Sequence, residues 1–130
     1  MNNYIPILSP EVFEDLVIEA VAGLPVYFQE KLENIEILVA SWPSHGEMRR
    51  VGLPPGSLLL GLYQGIPLTE RTHNYNLVPP DTITLYQGPI ETVAGPEPSR
   101  IRTQVKRTVI HEIAHHFGIS DERLHELGAY

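Results

Sequence analysis

One stretch near the C-terminus decides the fold and the chemistry of this chain: Thr108-Val-Ile-His111-Glu112-Ile-Ala-His115-His116-Phe-Gly118-Ile-Ser-Asp121. In a helix, His111 and His115 lie one turn apart on one face, which is the spacing that lets both imidazoles bind one Zn²⁺. Glu112 lies about 100° around the helix from His111, so it can reach a metal-bound water without being a ligand. The stretch therefore predicts a zinc hydrolase site on a helix, with Glu112 as general base.

The residues that follow the second histidine extend this pattern. Gly118 lets the backbone turn sharply, and Asp121 follows as the favoured third ligand. Glu122 and His125 compete for that role, and the plain structural role of Asp121 is to cap a last short helix. The plain interpretation of His111 and His115 is two surface histidines on an amphipathic helix, with Glu112 an ordinary exposed glutamate.

The neighbouring histidine, His116, lies about 120° from the middle of the metal-facing arc and is not predicted to be a ligand. We expect it to pack against the edge of the sheet or to bond a buried carbonyl. Amide hydrolysis usually needs a hydrogen-bond donor besides the metal to stabilise the transition state. The sequence offers four candidates for that donor and does not choose among them: Tyr63, Tyr86, Arg123 and His125.

The stretch lies on a predicted helix from Arg100 to Phe117, with Ser99 as its N-cap. Its two faces differ in composition. The predicted buried face consists of Val109, Ile110, Ile113, Ala114 and Phe117. The predicted cleft face consists of Gln104, Thr108, His111 and His115. We therefore expect the helix to dock on a sheet by one face and to present the histidines on the other.

Upstream, Ser9-Pro10-Glu11 and the apolar spacing after it predict a helix from Pro10 to Ala22. Further predicted elements are a short helical piece over Val26–Leu32, strands over Ile35–Ala40, Leu58–Tyr63 and Thr82–Tyr86, a long loop over Ser41–Ser57, a strand extension over Ile90–Val93 and a last helix over Glu122–Leu127. Leu62-Tyr63-Gln64-Gly65 and Leu85-Tyr86-Gln87-Gly88 share one tetrapeptide, which suggests two similar strand ends paired antiparallel. We assign no role to His45 or His73.

The composition bounds the class of protein. A chain of 130 residues predicts a single domain over 1–130, and a hydrophobic content of 42% is typical of globular proteins. No apolar run approaches the roughly 18 residues of a membrane span, and no secretory signal is evident, so we expect a cytoplasmic protein without a membrane partner. Cysteine is absent, so a metal must be held by nitrogen and oxygen. The formal charge of −7 argues against broad nucleic-acid binding.

From Val109 to Leu127 the sequence resembles the minimal zincin-like metallopeptidases, small bacterial proteins with a metzincin-like domain. The resemblance extends through Leu60–Arg71 and Ile83–Glu91. It implies an α+β zincin-like fold with an N-terminal helix, a small mixed β-sheet, an active-site helix behind it and a short C-terminal helix. It also implies His111, His115 and Asp121 as zinc ligands and Glu112 as base. Larger metzincins have histidine as third ligand and a later methionine turn; here aspartate stands there and no methionine follows.

The sequence thus predicts a zinc-dependent peptidase that acts on a peptide or protein substrate. In the sharpest form, the substrate lies extended along an edge strand, the one ending at Tyr63 or at Tyr86. The main alternative is a non-catalytic zincin-fold module that uses the metal site for stability or for binding a partner peptide. A third is a metal-free domain with vestigial histidines. The oligomeric state is not predicted.

Overall fold

The structure, a computed structural model, describes residues 5–54, 56–65 and 80–128. Within them the elements follow in the order α1 (Pro10–Ala22), α2 (Val26–Lys31), a 3₁₀ turn (Leu32–Asn34), β1 (Ile35–Ala40), α3 (His45–Arg50), β2 (Gly61–Gln64), β3 (Asp81–Tyr86), α4 (Gln87–Ala94), α5 (Pro98–Phe117) and α6 (Asp121–Glu126). No helix among these residues is long and apolar enough to cross a membrane.

The three strands form one mixed sheet in the order β1–β3–β2. β1 runs parallel to β3, with Ile35 opposite Asp81, and β2 runs antiparallel to β3, with Gly61 opposite Leu85. The predicted antiparallel pairing of the two similar strand ends is therefore confirmed. Because β3 is the middle strand, the prediction of a possible edge strand ending at Tyr86 is wrong. Of the two candidates, only β2 lies at an edge of the sheet that the described residues form.

Helices α1 and α5 cover one face of this sheet, and the core lies between these helices and the sheet. Ile83 and Leu85 of the middle strand are fully buried there. The buried residues of α5 are Ile101, Val105, Thr108, Val109, Ile110, Ile113 and Ala114, and those of α1 are Phe13, Leu16, Val17 and Ala20. α1 begins as predicted, with Ser9 Oγ accepting the N–H of Val12 at 3.2 Å. The predicted α+β architecture, with an N-terminal helix, a small mixed sheet, a histidine-bearing helix and a short C-terminal helix, is confirmed.

The predicted loop over Ser41–Ser57 is wrong in its middle, where α3 forms. A reciprocal capping box begins this helix: Ser44 Oγ accepts from the Glu47 N–H at 3.1 Å, and Glu47 Oε1 accepts from the Ser44 N–H at 2.8 Å. Such a box satisfies two N–H groups that would otherwise lack partners. The other carboxylate oxygen of Glu47 accepts from the buried Tyr86 hydroxyl at 2.7 Å, so α3 is attached to the sheet.

The predicted strand extension over Ile90–Val93 is also wrong, because the chain enters α4 directly after β3. Pro89 lies in the first turn of that helix, where its missing N–H costs nothing. Gln87 and Glu91 lie one turn apart and are both buried. Helical spacing lets them bind the same segment: Glu91 accepts from the N–H groups of Ile7 and Leu8, at 2.8 and 3.0 Å. Gln87 donates to the Leu8 carbonyl at 2.8 Å.

Other element boundaries shift by a few residues. α5 begins at Pro98 after Glu97, so Ser99 is not its N-cap. α6 begins at Asp121 and ends at Glu126, and its N-cap is Ser120. β2 begins at Gly61 rather than at Leu58, although Leu60 already accepts from the Tyr86 N–H at 3.0 Å.

Candidate metal centre

The helix that carries the histidines, α5, lies very close to the edge strand β2. The reason is Gly61: a Cβ added there would lie 2.7 Å from Thr108 Cγ2 and 3.5 Å from Glu112 Cγ. The first of these separations is shorter than any ordinary carbon–carbon contact. A residue without a side chain is therefore needed at this position of β2. Gly61 was not singled out from the sequence, because only the packing of the helix on the strand gives it a role.

This close approach brings Glu112 to the outer edge of β2. Leu60 pairs with Tyr86 through a main-chain hydrogen bond, and residues of an antiparallel pair alternate between facing the partner and facing away. Three residues later, Tyr63 therefore turns its N–H away from β3. Glu112 Oε1 accepts that N–H at 3.0 Å. One oxygen of the predicted base is thus fixed by the edge strand.

The environment of Glu112 also changes its protonation. Burial raises the pKa of the Glu112 carboxyl above its ordinary value, while the Tyr63 N–H and the nearby His115 act in the opposite direction. A carboxylate with a raised pKa accepts a proton more readily near neutral pH. The direction of this shift suits a general base.

His111 and His115 are both exposed on α5, one turn apart. Their neighbour on the predicted cleft face, Thr108, is buried against Gly61 instead. The polar face is therefore divided: Thr108 lies under β2, whereas the two imidazoles face outward. Two exposed imidazoles at this spacing fit the nitrogen donors that zinc prefers.

The turn after α5 forms as the sequence predicted. Gly118 adopts the left-handed conformation, with φ 68° and ψ 34°, and Ile119 donates to the Ala114 carbonyl at 2.9 Å. Ser120 Oγ then accepts from the Arg123 N–H at 3.1 Å and begins α6. Because Ser120 is the cap, Asp121 is not needed for that purpose, and its carboxylate lies exposed in the first turn. Leu124, 1% exposed, fixes α6 to the core.

Over residues 5–54, 56–65 and 80–128, no group of three or more His, Cys, Asp or Glu side chains lies close enough together to hold a metal ion. The described chain thus presents the two imidazoles of α5, and a ligand set completed by Asp121 stays a prediction. Glu122 and His125, the competitors for third ligand, are exposed on α6.

His116 packs against the sheet edge, as the sequence predicted. Its ring stacks on Tyr63 of β2, with centroids 3.8 Å apart and planes at 14°. Phe117 meets both rings edge-on, at 4.8 Å from His116 and 6.4 Å from Tyr63. The prediction that Phe117 lies in the buried face is wrong: it is 43% exposed, because the helix ends there and its side chain covers this aromatic group rather than the core.

The four candidate donors for the transition state differ in their surroundings. The Tyr63 hydroxyl donates to Asp81 Oδ2 at 2.6 Å, and the Tyr86 hydroxyl donates to Glu47 at 2.7 Å. Burial, followed by the bond to Glu47, raises the pKa of Tyr86 well above its usual range. Arg123 pairs with Glu126 at 3.2 Å, and His125 is exposed on α6. Both tyrosine hydroxyls already donate to carboxylates and Arg123 is paired as well, so the choice of transition-state donor stays open among the four.

Asp81 and Glu47, the two carboxylates that accept from these tyrosines, were missed by sequence reasoning. The signal for Glu47 was present as the Ser44-x-x-Glu47 capping pattern. No comparable signal existed for Asp81. His45 is the first residue of α3 and is exposed, while His73 lies outside the described residues.

A family model for zincin-like metallopeptidases matches residues 32–129, which include β1, all of the described sheet and the histidine helix. The chain belongs to this family. A solved structure of a conserved hypothetical protein from Thermo thermophilus is similar in fold, with a TM-score of 0.52 and 24% identity over 85% of this chain and 94% of that chain. No curated protein matches. The family assignment predicted from Val109–Leu127 is therefore confirmed, and the similar structure supports the fold alone.

Proposed function

We propose that this zincin-like metallopeptidase is a zinc-dependent peptidase, with His111, His115 and Asp121 as zinc ligands and Glu112 as general base. The observation that carries the proposal is the position of Glu112: its carboxylate is partly buried, adjoins two exposed imidazoles and contacts the N–H of an edge strand. Zinc is the metal that neutral imidazoles and one carboxylate suit.

The chemistry divides between the two oxygens of Glu112. Oε1 accepts from Tyr63, so Oε2 is the oxygen that takes a proton from the attacking water. The water oxygen adds to the scissile carbonyl carbon, the carbon–nitrogen bond breaks, and Glu112 delivers its proton to the leaving amine. When bound, the zinc ion supplies Lewis-acid polarisation of the carbonyl and lowers the pKa of water to about 7.

The substrate is proposed to be an extended peptide that lies along the outer edge of β2. Gly61 and Tyr63 turn their main-chain groups to this edge, and an edge strand can accept a further strand through main-chain hydrogen bonds. A substrate carbonyl that accepts the Tyr63 N–H would replace Glu112 Oε1 as the acceptor of that hydrogen bond. Docking then releases Oε1 of the base at the moment when the scissile bond arrives beside it.

The second candidate is a non-catalytic module that uses the zincin fold to bind a peptide. The observation that favours it is again the Tyr63–Glu112 hydrogen bond, which gives Glu112 a structural role in closing the edge of β2. In this case Glu112 would fix α5 to β2, and a peptide would bind at the edge without being cleaved.

A peptide library incubated with the zinc-loaded protein separates the two candidates, with new termini identified by mass spectrometry. We expect cleavage by wild type, a loss of about a hundredfold or more in Glu112→Gln, and wild-type rates in Glu33→Gln. Glu33→Gln makes the same chemical change at an exposed glutamate of the 3₁₀ turn. Equal cleavage by wild type and Glu112→Gln would contradict the role of the base. A zinc-loaded wild type that binds library peptides without cutting them would favour the module.

A further inference from the structure

Among the described residues the sheet has a second edge, β1, on the side opposite the candidate metal centre. A groove of about 390 Å³ runs between this strand and α1, lined by Glu14, Val17, Ile18, Val21, Ile37 and Val39. A smaller cavity of about 160 Å³ continues it past Glu14 and Val39 towards the end of the strand. We refer to these six residues as the α1–β1 groove. Its volume lies in the range of pockets that bind ligands, roughly 300–1,000 Å³.

The walls of the α1–β1 groove expose apolar surface that a folded protein normally covers. Ile18 projects from α1 and is 68% exposed, and Ile37 and Val39 of β1 are only partly buried. Ile37 and Val39 lie on the face of β1 that is directed at α1, while Glu36 and Leu38 lie on the other face. The groove therefore has an apolar floor bordered by one helix and one strand.

The main chain of β1 is suited to bind another strand. All six of its residues pair in regular parallel register with β3, so alternate residues turn their N–H and C=O groups outward. Edge strands are usually protected against pairing by proline, lysine or a bulge. Within Ile35-Glu-Ile-Leu-Val-Ala40 there is neither proline nor lysine, and the register with β3 is unbroken.

The charges around the groove indicate the chemistry of the partner. Neither α1 nor β1 contains a lysine or an arginine, and together they contain Glu11, Glu14, Asp15, Glu19 and Glu36; of these, Glu14 lines the groove and Glu36 lies on the opposite face of β1. Of these acids, Glu19 pairs with Arg102 at 3.2 Å. A second copy of this chain would bring the same acids and a further charge of −7 to the interface. A positively charged partner is electrostatically complementary to this surface, whereas a second copy of the chain would be repelled by it.

We propose that the α1–β1 groove binds an extended, basic protein segment that adds a strand to β1. The main chain of that segment pairs with β1 and its β-branched apolar side chains enter between α1 and β1. The lysine or arginine side chains that alternate with them point to the other face of the sheet, where Glu36 lies. This binding site is separate from the metal centre, because the two lie at opposite edges of the sheet. It does not depend on peptidase activity.

The test uses a fluorescent peptide of alternating lysine and valine, about seven residues long, which is a common strand length, with a matched peptide in which glutamate replaces lysine. We expect saturable binding of the lysine peptide by anisotropy, at least tenfold weaker binding of the glutamate peptide, and slowed amide hydrogen exchange at residues 35–40. Ile18→Lys should weaken binding about tenfold. Val26→Lys adds the same charge at a 70% exposed valine of α2, outside the groove, and should change binding less than twofold.

Three results would overturn the proposal. The first is unchanged exchange at residues 35–40 with saturating peptide. The second is an equal loss of binding in Ile18→Lys and Val26→Lys, which would mean diffuse attraction to an acidic surface. The third is amide exchange at residues 35–40 that is already slow before peptide is added, together with a molecular mass by light scattering that is twice that of one chain. This result would mean that a second copy covers the groove. Zinc and cleavage do not enter this measurement, so its failure would leave the proposed peptidase function untouched.

Discussion

Glu112 accepts the N–H of Tyr63 at 3.0 Å, so the candidate base and the outer edge of β2 are parts of one unit. The ring of Tyr63 stacks in turn on His116, one residue beyond the second imidazole of the motif. Strand and helix are thereby joined at two points on either side of His115. Whatever moves β2 relative to α5 must therefore change the position of Glu112.

Replacing Gly61 with alanine tests this coupling between strand and helix. The new Cβ would lie 2.7 Å from Thr108 Cγ2, so we expect overpacking that costs about 1–3 kcal/mol of stability and displaces Glu112. Urea unfolding monitored by circular dichroism measures the cost. Gly65→Ala is the control, because the nearest atom to its Cβ would be at 3.7 Å.

The double variant Gly61→Ala/Thr108→Ser sharpens this test, since serine lacks the Cγ2 methyl that the new Cβ meets. Its hydroxyl can still donate to the Gln104 carbonyl as Thr108 does, at 2.8 Å. We expect the double variant to recover a large part of the lost stability. A Gly61→Ala protein as stable as wild type, or a double variant no better than the single one, would mean that α5 does not approach β2 this closely.

Glu47 should make the stability of the protein depend on acid pH. The Ser44 N–H and the Tyr86 hydroxyl hold the pKa of Glu47 below its ordinary value of 4.5. A lowered pKa in the folded state means stability that is present above the unfolded pKa and is lost as pH falls through the folded pKa. Glu47→Ala should cost about 1–2 kcal/mol at pH 7, because it removes the cap and the acceptor of a buried hydroxyl.

The comparison of wild type and Glu47→Ala is made by thermal unfolding from pH 7 down to below pH 4, with Glu33→Ala as control at an exposed glutamate of the 3₁₀ turn. The difference in free energy of unfolding between wild type and Glu47→Ala should shrink as the solution becomes more acidic. A difference that stays constant over this pH range would show that the ionisation of Glu47 does not contribute to the free energy of unfolding.

Glu91 anchors the segment before α1, and its removal should loosen that segment selectively. Its buried carboxylate accepts from the N–H groups of Ile7 and Leu8 and from Gln87. Glu91→Ala would leave two main-chain donors without this acceptor, at a cost of about 2–4 kcal/mol. Amide exchange at Ile7 and Leu8 should accelerate in Glu91→Ala and less so in Glu91→Gln, which keeps one acceptor oxygen. Unchanged exchange in both variants would remove Glu91 from this role.

The elements with strong local signals could be predicted from the sequence. α1 and β1 have the predicted bounds, because a Ser-Pro-Glu start and a β-branched run each favour one structure. The stacking of His116 on the sheet edge followed from its angle on the helix. Local periodicity was sufficient where one face of an element meets the core.

The remaining errors come from contacts distant in sequence. Ile90–Val93 looked like a strand because β-branched residues dominate it, yet α4 is selected by Gln87 and Glu91, which bind residues 79 to 84 positions earlier. Gly61 gained its role chiefly from Thr108, which lies on α5, far along the chain. α3 could have been predicted from Ser44 and Glu47, but the prolines and glycines around it favoured a loop.

Zinc titration of the metal-free protein tests whether His111, His115 and Asp121 hold a metal ion, with bound zinc measured by atomic emission after gel filtration. We predict one zinc per chain in wild type and in His116→Ala, and loss of at least tenfold in affinity in each of His111→Ala, His115→Ala and Asp121→Ala. His116→Ala is the matched control, since it removes an imidazole one residue from His115 that stacks on Tyr63 instead. Zinc binding that is absent in wild type, or equally strong in all of these variants, would mean that His111, His115 and Asp121 are not the zinc ligands.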